Sequence, residues 1–450
     1  MATHSPRIFL SAGEASGDHY GAQIIAALAP HLNSPTFTGL GGKEMEAAGQ
    51  QRIVRAEDVA IMGITEILLH IPKIYRSYRR LVRSIKQHRP NVAILIDFPD
   101  VNFRLAKHLH HLGVPVLWFV SPQLWAWKRR RLRWVQQRVD KMFVIFPFEA
   151  DFYRNRGVDA TFVGHPLADM PLPTVTREEY AEAARALNQE QWNYADGILQ
   201  SNPLPEWAHK TKEGIRYGLD TVKPWVALLP GSRSGEISAN LGEMIQAACL
   251  LGPEYEFIIP VAETVSEHHL KAMQYETGSR LTEANPPRIT FVRDARSALF
   301  HSRAAVVASG TATVQAALIG TPFLVVYRVS ELTFRIAKML VQYPSEIGAH
   351  KDGYGNLPIA MPNLIAGRRI IPELINKHFK AKTVAAILKD LLEEGSNLRM
   401  RQIKDLKSVR ESLLLSSGDS AVQTLCHAVL RALNLPESRT DPDALHPIHW

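Results

Sequence analysis

At 450 residues the chain is too long for one hydrophobic core, so two or three domains are expected. Apolar residues at 46% and charged residues at 21% exclude a long disordered protein, and no stretch approaches the roughly 20 apolar residues that span a bilayer. The formal charge of +8 points to anionic partners without choosing among phosphates, acidic lipid headgroups and nucleic acid.

Arg7–Ala12 has the pattern of a buried strand. It is too short for a secretory signal and runs at once into Glu14 and Asp18. The turn Ser11-Ala-Gly-Glu-Ala-Ser-Gly-Asp18 leads to a helix through Ile24–Leu32. Small residues, including Gly13 and Ser16, let the backbone approach a ligand at a helix N-terminus. For the glycines alone, an ordinary strand–helix turn is the simpler reading. Glu14 is the unusual member: its carboxylate repels phosphate but can accept bonds from sugar hydroxyls or act as a base.

Val59–Ile71 is apolar, with Ile61, Met62, Ile64, Ile67, Leu68 and Leu69, and a basic helical pattern follows: Lys73, Arg76, Arg79, Arg80, Arg83 and Lys86. Such a pairing suits an interfacial membrane contact. Taken alone, the pattern favours a core-packed segment followed by a solvated face.

Val92–Ile96 is a second buried strand, followed by a helix over Phe103–Leu112 and a strand over Val114–Val120. Asp97 follows four apolar residues at a strand end, where desolvation raises a carboxylate toward general-base values. Of Asp100 and Asn102, one is expected to cap the next helix. Ser121, Trp125 and Trp127 precede the cations Lys128–Arg131. Rings beside cations suit a sugar phosphate, single-stranded nucleic acid, or a basic helix whose tryptophans fill the core. Met142–Phe146 closes this half.

Met170–Lys223 is rich in Pro and polar residues, with a helical piece near Glu178–Leu187, and reads as a linker. Alternation resumes at Trp225–Leu229 and continues through Phe257–Pro260, Ile289–Val292, Ala304–Val307 and Phe323–Val326. Two strand–turn–helix motifs stand out here: Leu228–Glu236, with Gly231, Ser232 and Arg233, and Ala308–Gln315, with Ser309, Gly310, Thr311, Ala312, Thr313 and Gln315. Two small-residue helix starts in one domain suit a nucleotide diphosphate. No Walker A or G-x-G-x-x-G sequence accompanies them, which disfavours kinase and dehydrogenase chemistry. From about Lys380 the pattern is helical, and Glu437–Trp450 is a polar tail. Cys249 and Cys426 lie in apolar helical stretches without metal spacing, as suits a reduced compartment.

The expected fold class is α/β, two Rossmann-like doubly wound domains facing a central cleft. The expected divisions are 1–170, an acceptor and lipid-side domain; 171–223, a linker with an insertion; 224–380, a nucleotide-sugar domain; and 381–450, helices and the polar tail.

Nine segments in series resemble the lipid-A-disaccharide synthase family: Ser11–Asp18; Ile61-Met-Gly63 with Glu66; Ile96-Asp97 with Pro99-Asp100 and Asn102; Ser121-Pro122 with Trp125-Ala-Trp127; Phe146-Pro-Phe-Glu149; Gly164-His-Pro-Leu167; Leu228–Arg233; Ser309–Thr313; and Pro362-Asn-Leu-Ile-Ala-Gly367. They keep the family's order over roughly residues 7–376. The resemblance implies a GT-B fold and an inverting, metal-independent transfer without a cofactor. The donor it implies is UDP-2,3-diacylglucosamine and the acceptor is 2,3-diacylglucosamine 1-phosphate, joined β-1,6. It also implies peripheral attachment to the cytoplasmic face of a bacterial inner membrane, and turns the reading of Val59–Ile71 toward lipid or acyl contact.

By the same resemblance Asp97 is the base, Glu14 a second acid, and Gly13, Ser16, Asp100, Asn102, Ser121, Trp125 and Trp127 face the acceptor. The donor side takes Gly231–Arg233, Ser309–Thr313, Gln315 and Asn363. Three departures stand out: Gln315 where the family usually has Glu for the donor ribose, insertions around Asn188–Lys212 and Pro344–Ala360, and Asn376 in place of a common Gln. The resemblance leaves a homodimer open, because family members can exchange C-terminal elements. The alternatives are another GT-B transferase or a UDP-sugar epimerase, a non-catalytic lipid or nucleotide binder, and a nucleic-acid-binding protein motivated by the basic blocks alone.

Overall fold

A computed structural model describes residues 5–58, 64–185, 219–261, 287–415 and 417–434, with isolated positions at 265, 273, 277 and 280. Ile61, Met62, the 188–212 insertion and the 437–450 tail lie outside the described residues, as do the side chains of Ile64, Ile67, Leu68 and Leu69. The chain divides into two compact units. The first comprises Met1–Asp169, Val341–Glu346 and Leu413–Trp450; the second comprises Met170–Leu340 and Ile347–Ser412.

The first unit is a seven-stranded parallel sheet: β1 (Arg7–Ala12), β2 (Thr36–Gly41), β3 (Gln50–Arg55), β4 (Val92–Ile96), β5 (Val116–Phe119), β6 (Lys141–Val144) and β7 (Ala160–Phe162). Its order is β3-β2-β1-β4-β5-β6-β7, so the winding reverses between β1 and β4. All five residues of β4 are buried, as a strand covered on both faces requires. Ala12 pairs with Ile96, which brings the loops after these two strands together at the switch point.

Helices α1 (Ala15–Leu28), α2 (Lys43–Ala47), α3 (Ile64–Gln87), α4 (Pro99–His111), α5 (Leu132–Arg138) and α6 (Pro147–Arg154) cover this sheet. α1 ends before Pro30, and α4 starts four residues earlier than its apolar pattern indicates, because Pro99 suits a first helical turn. β5 is shorter than expected: Val120 adopts φ +61° and ends the extended run. On α3, Leu81 and Ile85 are buried while Lys73, Arg76, Arg79, Arg80, Arg83 and Lys86 are exposed. No helix among the described residues is long and apolar enough to cross a membrane.

The second unit is a six-stranded parallel sheet: β8 (Trp225–Leu229), β9 (Glu256–Pro260), β10 (Arg288–Val292), β11 (Ala304–Ala308), β12 (Phe323–Tyr327) and β13 (Glu373–Ile375), in the order β10-β9-β8-β11-β12-β13. The winding reverses between β8 and β11. Helices α7 (Ser234–Leu251), α8 (Ala295–His301), α9 (Thr311–Ile319), α10 (Glu331–Leu340), α11 (Met361–Ile365), α12 (Ala381–Leu392) and α13 (Asn397–Leu413) complete it.

The C-terminal helices divide between the units. α12 packs on α7 in the second unit, while α14 (Ala421–Ala432) packs on α1 in the first. His165 donates its backbone N–H to the Leu413 carbonyl at 2.9 Å, and the Ala421 N–H reaches the Asp169 carboxylate at 3.1 Å.

Candidate active site

The first unit brings Glu14 and Asp97 together at its switch point. Glu14 precedes α1 and is exposed; Asp97 follows β4 directly and is half-buried. Burial pushes the Asp97 carboxyl up to about 6, and the negative charge of Glu14 adds to the rise, against one bond from the Phe98 N–H. An acid in that range is half ionised near pH 6 and can take a proton from a hydroxyl.

The backbone that presents Asp97 is strained. Asp97 and Phe98 adopt φ +41° and +46°, a left-handed region costly for residues with a side chain. Asn102 holds this turn. Its Nδ2 faces the carbonyls of Ser11, Ile96 and Asp97 at 3.3, 3.2 and 2.8 Å, and its Oδ1 accepts from the Ser11 hydroxyl at 2.6 Å. Asn102 is 0% exposed, so its amide is spent on joining β1 to β4 rather than offered to an acceptor. Neither Asp100 nor Asn102 makes a capping bond on α4, whose N-cap is Phe98. Gly13 is required sterically: a Cβ there would lie 2.5 Å from the Phe98 ring. Ser16 is exposed on the first turn of α1, and Asp100 is exposed and paired with Arg131 at 2.7 Å.

The Ser121–Trp127 segment separates into two environments. The Ser121 hydroxyl and Trp125 Nε1 both donate to Glu149 Oε1, at 2.8 and 2.9 Å, while the Phe146 N–H donates to Oε2 at 3.2 Å. Trp125 is buried edge-on to Phe148 at 5.1 Å. These are interior contacts, so for Trp125 the core-filling alternative holds. Burial pushes Glu149 up to about 7, opposed by those same bonds. Trp127 is exposed, with the Lys128 ammonium 4.0 Å over its ring.

In the second unit both small-residue motifs lie at the switch point, beyond the paired ends of β8 and β11. Gly231 adopts φ +123°, and a Cβ there would meet the Glu236 side chain at 2.6 Å. The Ser232 N–H donates to Glu236 Oε2 at 3.2 Å, and the exposed Arg233 lies 3.6 Å from Glu236 Oε1. Asn240 fixes the turn by donating to the Pro230 carbonyl at 2.8 Å. Gly310, at φ +155°, precedes α9, whose first turn carries exposed Thr311, half-buried Ala312 and buried Thr313. The Thr313 hydroxyl donates back to the Gly310 carbonyl at 2.7 Å. Ser309 and Gln315 are half-buried.

Asn363 behaves as Asn102 does. It is 0% exposed, its Oδ1 accepts from the Ile370 and Ile371 N–H groups at 2.7 and 2.9 Å, and its Nδ2 donates to the Ile371 carbonyl and to Glu373 Oε1. Glu373 also accepts from the Ile359 and Ala360 N–H groups, so the pair anchors the end of the 344–360 segment. Asn376 adopts φ +46°, a conformation that Asn tolerates better than Gln, and accepts from the Val329 N–H at 3.0 Å.

Phe98, Glu149, Glu236 and Glu373 were not among the residues singled out as site candidates. Phe98, Glu149 and Glu236 sit inside motifs already marked, whereas Glu373 becomes visible only through its partners.

The sequence matches the family described as Lipid-A-disaccharide synthetase over residues 8–192 and 203–425. It is 47% identical over 435 residues to the lipid-A-disaccharide synthase of Acidobacterium capsulatum, covering 95% of this chain and 97% of that protein. Among solved structures it resembles the calicheamicin glycosyltransferase CalG4, with a TM-score of 0.54 at 12% identity, covering 96% of this chain and 99% of that one. It also resembles the UDP complex of Staphylococcus aureus MnaA, with a TM-score of 0.55 at 12% identity, covering 97% and 99%. At such identity these structures speak for the fold alone, and that fold is GT-B. The chain belongs to the lipid-A-disaccharide synthase family and is a glycosyltransferase of lipid A biosynthesis.

Proposed function

We propose that Asp97 is the general base of this transfer, removing the proton from the 6-hydroxyl of 2,3-diacylglucosamine 1-phosphate. The freed oxygen attacks the anomeric carbon of UDP-2,3-diacylglucosamine from the face opposite UDP. The glycosidic bond forms as the bond to the diphosphate breaks, giving the β-1,6 disaccharide and UDP. Inversion demands this opposed geometry, as it does in inverting glycosidases.

The observation that carries the reading is the Asp97 carboxyl, half-buried just beyond β4 and held near 6 by desolvation and by Glu14. Glu14, being exposed, orients the acceptor through its hydroxyls. Ser232, Arg233 and the α9 start at Gly310–Thr311 receive the charge that develops on the leaving diphosphate. Glu236 now occupies the Ser232 N–H, so the diphosphate would take the place of that carboxylate.

The apolar 59–71 segment and the exposed basic face of α3 suit a lipid surface. On this reading the enzyme works peripherally at the cytoplasmic face of the inner membrane, where both acylated sugars reside. Incubating the purified protein in detergent with both substrates and excess chelator tests the assignment. A product with the mass of the disaccharide 1-phosphate and a β anomeric coupling supports it. No product from folded protein, across several acyl lengths, overturns it.

A further inference from the structure

The basic block Lys128–Arg138 is not absorbed by the catalytic reading, yet it contributes to a cavity of about 340 Å³ in the first unit. α4 supplies Arg104 and Lys107, and α5 with its preceding turn supplies Arg131 and Arg138. Asp100 is the one carboxylate among the described lining residues and is already paired with Arg131 at 2.7 Å. Four cations against one carboxylate leave the cavity strongly positive. Arg104 and Lys107 make no ion pair among the described residues.

The walls add shape. Two guanidinium groups approach the Trp134 ring, Arg131 at 5.6 Å and Arg138 at 5.2 Å from its centroid. Phe103 packs edge-on against that ring at 5.6 Å, and its carbonyl accepts from the Arg138 guanidinium at 3.1 Å. Opposite, Tyr78 of α3 and His108 of α4 are joined at 3.0 Å. Burial lowers His108, and the charges of Lys86, Lys107 and His111 lower it further, as a locally positive field should. Arginine forks beside an aromatic face match a phosphate on an apolar-faced sugar better than a lone carboxylate.

Position narrows the ligand. Pro99 and Asp100 line the cavity and are the second and third residues after Asp97. With a rise of 1.5 Å per residue, Arg104 lies roughly 8 Å along α4 from Pro99, about the span of one hexose. A sugar presenting its 6-hydroxyl to Asp97 can therefore carry an anomeric phosphate toward Arg104 and Arg131. α3, which contributes Tyr78 to the wall, begins at Ile64 within the apolar 59–71 segment, so a phosphate at a lipid surface is the second source of the same ligand chemistry.

We propose that Arg104, Lys107, Arg131 and Arg138, around Trp134, form a binding site for a phosphate carried on a lipid, with the acceptor's 1-phosphate as the source that position favours. The identification of the acceptor rests on the transfer proposed above; the phosphate site itself does not.

The test is an Arg104→Ala/Lys107→Ala double variant. Both side chains are exposed and alanine favours helix, and an unshifted thermal melt verifies folding. In one arm, KM for diacylglucosamine 1-phosphate and for its 1-dephospho analogue is measured in detergent. In a second, donor-free binding of the phosphorylated lipid is read by equilibrium dialysis in micelles. In a third, protein is sedimented with phosphatidylglycerol or phosphatidylcholine vesicles. The acceptor site predicts a rise of about tenfold or more in KM for the phosphorylated acceptor, little change for the dephospho analogue, and unchanged donor KM. Loss of phosphatidylglycerol binding with acceptor KM unchanged assigns the same site to a membrane phosphate. Weakened micellar binding in protein that makes no disaccharide keeps the site and sinks the transfer. No change in any arm beyond about twofold overturns the proposal and leaves the cations as a solvated face.

Discussion

Glu14 and Asp97 stand just beyond the carboxyl ends of adjacent strands β1 and β4, and the charge of Glu14 joins burial in holding the Asp97 carboxyl near 6. Neither strand creates the site alone: the reversal of winding between them opens the space, and Asn102 locks the two strand ends together.

With Asp97 as the proposed base, a carboxyl near 6 predicts the pH dependence of the reaction. Below that value Asp97 is protonated and cannot accept the hydroxyl proton, so kcat/KM should fall about tenfold per pH unit on the acid side. Above it the rate should plateau. A pH–rate profile of the wild type checks this. In Glu14→Gln the inflection should move down toward ordinary carboxylate values, because one of the two causes of the rise has gone.

The same shift bears on stability. The folded state holds the Asp97 proton more tightly than the unfolded state does, so stability falls as pH rises from about 4 through 6, and the full penalty applies above 6. Asp97→Asn removes the charge and suits the left-handed backbone. The variant should gain up to about 3 kcal/mol at pH 8 and nothing below pH 4. Denaturant unfolding of both proteins at the two pH values measures the difference.

Two polar residues in the marked motifs serve the fold. Asn102→Ala strips the Asp97–Phe98 turn of its buried amide and should cost about 2–4 kcal/mol, with kcat falling as Asp97 loses its placement. Ser121→Ala removes one donor from Glu149 and should cost about 1–2 kcal/mol, with acceptor KM unchanged. Urea midpoints alongside steady-state kinetics separate the two. A large rise in acceptor KM for Ser121→Ala would return that hydroxyl to the substrate.

Gln315 is half-buried on α9, one turn past the small-residue start. If it meets the donor ribose, Gln315→Glu supplies a charged acceptor for the diol and should lower donor KM several-fold, on the order of 1 kcal/mol. UDP binding by calorimetry reads the same change without turnover. A loss of affinity would show that the side chain faces the diphosphate instead.

The central strands were legible in the sequence because β4, β8 and β11 are buried on both faces and read as unbroken apolar runs, and β1 is buried after Arg7; Glu14 and Asp97 were legible as acids just beyond two of these strands. β2 carries two glycines, β3 reads Gln-Gln-Arg-Ile-Val-Arg, and β13 has three residues, so none stands out from a loop. Asn102, Ser121, Trp125 and Asn363 were visible as residues but not as contacts. Ser121 meets its carboxylate 28 positions away, and no local pattern encodes such a pairing. Likewise, α12 and α14 are both amphipathic helices, and nothing in their spacing says that one packs on the second unit and the other on the first.

The most direct measurement is disaccharide formation by the wild type and by Asp97→Asn at pH 8, with both substrates in detergent. Loss of a positioned general base predicts a fall of about 100-fold or more in kcat, in a protein that melts no lower than the wild type. Wild-type turnover by the folded variant would contradict the assignment of Asp97 as the base.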